Sequence, residues 1–182
     1  MFYQMIKKLS AFFILLISLQ AKAQHPFLQN LKPFCGQTFE GRTVFPQDDK
    51  DPFKGKQLLM HVRSCQEKEV RIPFHVGEDQ SRTWVLTTDA AGLLLKHDHR
   101  HADGTPDSIT MYGGYANAMG NAFQQFFPAD AHTAQLIPAA ATNEWNLILS
   151  EDRKTFSYIL KRDGQLRFRA DFDLTKPVKQ NR

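Results

Sequence analysis

Thr155-Phe-Ser-Tyr-Ile-Leu-Lys-Arg-Asp-Gly-Gln-Leu-Arg-Phe-Arg-Ala-Asp-Phe-Asp173 is the stretch whose reading decides the fold. From Leu166 to Phe172 every second residue is apolar (Leu166, Phe168, Ala170, Phe172), and Arg167, Arg169, Asp171 and Asp173 take the places between and after them. Side chains of an extended chain alternate between two faces, so this is a strand with one face on a core and the other in solvent. Phe156, Tyr158 and Leu160 repeat the pattern, and Arg162-Asp-Gly164 between the two runs has the composition of a hairpin turn. The pair is an antiparallel hairpin.

The same period-two pattern extends outward through the chain. Strands are expected over 34–44, 55–65, 69–76, 81–88, 93–101, 108–114, 123–127, 144–149, 155–161 and 165–173. Turns as short as Asp89-Ala-Ala-Gly92 and Ser150-Glu-Asp-Arg153 join many of them, so sequential neighbours should pair. About eight to ten strands, with too little helix to cover a flat sheet, predict an all-β antiparallel meander closed into an up-and-down barrel. The least regular stretch, 115–143, contains Pro128 and Pro138 and is expected to be a long loop, able to cover a barrel mouth, with one short strand.

Before the first strand, Lys7 and Lys8 precede an apolar run to Ile17, and Ala21-Lys-Ala23 has small residues at alternate positions. Residues 1–23 therefore read as a cleaved signal peptide, followed by one domain over 24–177 and a short basic tail over 178–182. The apolar run is too short for a spanning helix, so a secreted or periplasmic protein without membrane insertion is expected. Losing Lys7, Lys8 and Lys22 takes the formal net charge of +4 to +1, and the remaining basic residues are interspersed with acids, so nucleic acid is not an expected partner. Nothing in the sequence fixes an oligomeric state. Cys35 and Cys65 are the two cysteines of a chain read as exported, and they stand at mirror positions about Lys50 in the turn-rich Pro46-Gln-Asp-Asp-Lys-Asp-Pro52. A hairpin centred there would set them opposite each other as a disulfide.

Polar chemistry is concentrated in Leu93-Leu-Leu-Lys-His-Asp-His-Arg-His-Ala-Asp-Gly104. As a strand it points Leu93, Leu95, His97, His99 and His101 one way and Lys96, Asp98 and Arg100 the other. The turn at 89–92 pairs Trp84 with His97 and Arg82 with His99; a loop after His101 would pair His101 with Ser108, His99 with Thr110 and His97 with Tyr112. Trp84, His97 and Tyr112 then form one row, with Arg82 and His99 above it. On a lumen wall these five residues mix hydrogen-bonding groups with aromatic surface, as sites for small, partly apolar ligands do. This is the first reading: a non-enzymatic ligand-binding barrel.

A second reading is metal binding. His97-x-His99 can present two imidazoles to one zinc or copper ion, whereas His101 lies roughly 7 Å further along the strand and joins them poorly without a bulge. Other candidates for a third ligand are His61, His75 and Asp103. A third reading is a structural or interaction module with a filled core. Enzyme signatures with a nucleophile beside a base are absent from the sequence, which leaves His97 or His99 as a base without a partner. Gly113-Gly114 reads as a bulge or a site of close packing. Glu40 and Arg42 share one face of the first strand, and a bulge there would turn both outward.

Arg71-Ile-Pro-Phe-His-Val-Gly-Glu-Asp-Gln-Ser-Arg-Thr-Trp-Val-Leu86, with Leu95 to Gly104 and the ending Phe172-Asp-Leu-Thr-Lys-Pro177, resembles a group of secreted bacterial proteins of no established function. That resemblance implies a bacterial, exported setting and no activity. The meander is similar to calycin barrels, although Gly36-Gln-Thr-Phe39 stands where many lipocalins open with Gly-x-Trp. The histidine spacing is similar to the first cupin motif, but no second histidine motif follows it.

Overall fold

The computed structural model describes residues 25–179; the leader expected over 1–23 lies outside them. Eleven strands follow a short N-terminal helix: α1 (Pro26–Leu31), β1 (Thr38–Phe45), β2 (Leu58–His61), β3 (Ser64–Cys65), β4 (Glu69–Val76), β5 (Asp79–Thr88), β6 (Leu93–His99), β7 (Tyr112–Tyr115), β8 (Gln124–Pro128), β9 (Asn143–Leu149), β10 (Thr155–Arg162) and β11 (Gln165–Val178). A second helix, α2 (Ala131–Leu136), separates β8 from β9. The sheet order is β7-β6-β5-β4-β2-β1-β11-β10-β9-β8, with β3 pairing β4 beside this path. Neighbours in this order are antiparallel, and β1 pairs with β11, so the first long strand is joined to the last.

The sheet nearly closes into a barrel. Its two edge strands, β7 and β8, meet without a continuous ladder and are bridged by backbone bonds from Asn117 N to Phe126 O and from Asp130 N to Gly113 O, each 2.9 Å. Glycine is required here. A Cβ on Gly114 would collide with the Pro128 carbonyl, and one on Gly113, whose φ is +150°, with the Leu95 carbonyl. The stretch 115–143 contains the one short strand expected of it, β8, and adds the helix α2, whose buried Thr133 fastens the seam by accepting from Gly113 N (2.7 Å) and donating to Gly113 O (2.8 Å).

Because successive strands run antiparallel, the turns sort to two ends. At one end lie the 89–92 turn, the 116–123 loop and the 150–154 turn; there α1 buries Phe27, Leu28 and Leu31 in the core. Asn30 holds it in place, donating to the Ala122 carbonyl and accepting from Arg153. The Cys35–Cys65 disulfide forms and ties the segment after α1 to β3. Its mirror register does not continue into the hairpin, however. Phe39, not Glu40, faces Met60, because Lys32–Phe34 form a 3-10 turn and Cys35 precedes the strand. Phe39 is consequently buried, and Glu40 and Arg42 are exposed.

Candidate functional site

The strand carrying the histidines pairs with β5 as its turn dictates. Thr88 is opposite Leu93, Leu86 opposite Leu95, Trp84 opposite His97 and Arg82 opposite His99, while His97 faces Tyr112 across the β6–β7 ladder. Thr110 lies beyond the start of β7, yet its hydroxyl accepts from the His99 backbone N–H at 2.7 Å. The predicted row of Trp84, His97 and Tyr112, with Arg82 and His99 above, is thus assembled inside the barrel. His101 is not part of it. The strand ends at His99, and the exposed His101 donates its backbone N–H to Thr105 O rather than pairing with Ser108. Asp98 explains the departure. It points to the outer face yet is only 4 % exposed, because Arg100 donates to it at 3.1 Å and Arg71 and the Thr110 hydroxyl lie 3.5 Å away. These contacts fold 100–111 back over the strand instead of extending it.

His97 is buried with both ring nitrogens engaged. Nδ1 faces the Tyr112 carbonyl at 3.2 Å, which can only accept, so Nδ1 carries the proton. Nε2 then accepts from the Tyr158 hydroxyl at 2.9 Å, and Tyr158 in turn receives a hydrogen bond from the Trp145 indole. Burial pulls the His97 pKa down to about 3, the backbone bond to Tyr112 opposing only in part. Burial also pushes the Tyr112 phenol up to about 12 and raises that of Tyr158 well above its ordinary value. Near neutral pH the network is uncharged, and each polar end that burial has removed from water has a partner.

Stacking packs the network tightly. Trp84 lies flat on Tyr158 (centroids 4.5 Å, interplanar 4°) and on Phe74 (4.9 Å, 19°), while His97 lies on Tyr112 (4.7 Å, 10°). Toward the end opposite α1 the network reaches half-buried groups. The Tyr112 hydroxyl and His99 Nε2 share a hydrogen bond of 3.0 Å, and burial and then the Arg82 charge lower the His99 pKa. Arg82 pairs with Asp79 across the rim. Partial burial works to raise the Asp79 carboxyl, but hydrogen bonds from Ser81 and Arg82 outweigh it and hold the group at about 2.

Phe53 caps this end. It belongs to the 46–57 loop between β1 and β2, and its ring stands edge-on to Phe74 (5.8 Å) and Phe168 (5.2 Å) with the Arg82 guanidinium 5.7 Å from its centroid. The period-two pattern puts Tyr158 on the core face of its strand, but no spacing in the sequence joins Tyr158, Trp145 or Phe53 to the histidines. Among the described residues, no three His, Cys, Asp or Glu side chains converge to hold a metal ion. His97 has no free lone pair for one, and His61 and His75 lie on a different part of the wall, at the β2–β4 ladder.

An antiparallel barrel, nearly closed, with a buried uncharged histidine and tyrosine network leading to a rim where Arg82 pairs with Asp79, is the class these observations define. Against known proteins, no family model matches the chain and no curated protein matches it. The calycin resemblance accordingly stands on architecture. No helix among the described residues is long and apolar enough to cross a membrane.

Proposed function

We propose that this is an exported, non-enzymatic barrel that binds a small, partly apolar molecule at the end framed by Arg82, His99 and Tyr112, above Trp84 and His97. One observation carries the reading. A partly exposed cation, a neutral imidazole and a phenol sit on a continuous aromatic floor, at the end capped by a loop and not by the α1 plug. That mixture, apolar surface with a few convergent polar groups, is what small-molecule sites offer. The leader expected over 1–23 and the Cys35–Cys65 bond fit an oxidising compartment.

The test is native mass spectrometry of the mature protein purified from a bacterial periplasm, with elemental analysis of the same sample. An added organic mass that is lost on denaturation is expected. Bare polypeptide, or stoichiometric zinc or copper instead of an organic mass, would overturn the proposal.

A further inference from the structure

The loop 46–57 is polar and largely exposed, with Asp48, Asp49, Lys50, Lys54 and Lys56 in solvent. Phe53 is its side chain that packs on the core. The middle of the loop is fixed by a few contacts: Asp51 Oδ1 accepts from the Phe53 backbone N–H (2.8 Å) and from the Thr43 hydroxyl (3.2 Å), and Lys54 pairs with Asp49 at the surface, while at its end the Gln57 carbonyl accepts from the Gly77 N–H (2.8 Å). The opposite end, by contrast, is closed by a helix with three buried apolar residues and a disulfide beside it. The Phe53 ring thus occupies an aromatic recess beside the Arg82 guanidinium, carried there by a polar segment that is exposed to solvent on either side of it.

We infer that Phe53 fills the place of a ligand, and that the barrel end takes an aromatic carboxylate whose ring replaces the Phe53 ring against Phe74 and Phe168 while its carboxylate takes Arg82. This deepens the binding reading above and rests on it. The ring geometry selects the ligand's apolar part, because the two edge-on aromatic contacts favour a π system over a saturated one. Arg82 selects the charge. It is 27 % exposed, and a planar guanidinium takes a carboxylate in bidentate fashion. Its present partner is not orphaned by the exchange, since Asp79 Oδ1 keeps the Ser81 backbone N–H at 2.9 Å and its carboxylate is 41 % exposed to water.

The probes are benzoate, cyclohexanecarboxylate and toluene, titrated calorimetrically into the wild-type chain, Phe53→Ala, and Phe53→Ala combined with Arg82→Met. Phe53→Ala empties the recess and should bind benzoate about tenfold tighter than wild type, as ring-sized cavities capture ring-sized ligands. In that variant benzoate should exceed both other probes, and Arg82→Met should abolish its advantage over toluene. The wild-type chain supplies a readout that survives if the variants fail to fold. Benzoate should accelerate tryptic cleavage after Lys50, Lys54 and Lys56, because the ligand expels Phe53 and frees the loop. Benzoate affinity unchanged by Phe53→Ala, or cleavage unchanged by saturating benzoate, would overturn the inference. A neutral or aliphatic cargo in the mass measurement, together with no benzoate response, would sink the aromatic carboxylate and leave the binding barrel standing.

Discussion

His97 shows how a single residue can be polar and structural together. Its ring sits where an apolar side chain would suit the surrounding Trp145, Tyr112 and Tyr158, and it is tolerated because both nitrogens are bonded and the ring is neutral. Neutrality sets the sign of its pH dependence. The folded-state pKa, about 3, lies below the ordinary value of 6.5, so the stability His97 contributes is complete above pH 6.5 and is lost as pH falls toward 3. One proton taken up on unfolding corresponds to a slope of up to about 1.4 kcal/mol per pH unit. His25, His61, His75 and His99 are shifted in the same direction and steepen the wild-type curve. Urea unfolding of wild type and His97→Gln between about pH 6 and pH 4.5 isolates the share of His97. The wild type should lose stability faster than the variant as the solution is acidified; parallel curves would mean that His97 is not buried in its neutral form.

At the scale of the element, the strands were readable because their pattern is local, and the seam was not because its fastening is remote. Asp89 to Gly92 predicts the β5–β6 register because a four-residue turn leaves one way to align the flanking residues, and Trp84 does meet His97. No local signal shows that Asp98 would draw in Arg100 and Thr110 and end the strand at His99, or that Thr133 of α2 would reach back to Gly113. The candidate site divides in the same way. Its β5–β6–β7 row follows from neighbouring turns, whereas Tyr158 and Phe53 reach it across the barrel, from positions that sequence spacing does not connect. Thr133→Val tests the seam with little change of shape. The Gly113 carbonyl keeps the Asp130 amide, but the Gly113 N–H is left buried without a partner, which costs about 1–3 kcal/mol. Amide exchange should accelerate at Gly113 and Asp130 and stay unchanged in the β10–β11 hairpin. Equal acceleration in both places would show that the seam does not open separately from the rest of the barrel.

On the scale of the whole molecule, the two ends of the barrel are closed by different means, and the difference gives them different roles. At the α1 end, Phe27, Leu28 and Leu31 belong to the same core cluster as the barrel's inward faces, and the disulfide fastens the chain that follows them. At the other end a polar loop contributes Phe53. If the first end is permanent and the second is the working end, removing the disulfide must weaken the fold without altering the mouth. The bond spans a sequence separation of 30, a closure worth about 2–4 kcal/mol to a domain of this kind. Cys35→Ser with Cys65→Ser should therefore lower the free energy of unfolding by about that amount. Native-state exchange should quicken first at the Gln29 amide within α1 and at Gly36 and Val62, whose backbone hydrogen bonds join the neighbouring segment to the end of β2. The order of exchange decides the matter. Early loss of protection at α1 and Val62, with the Trp84 and His97 amides still slow, would establish α1 as a fixed plug held by the disulfide. Loss of protection first at Arg82 and His99 would place the effect of removing the disulfide at the mouth and remove the distinction between the ends.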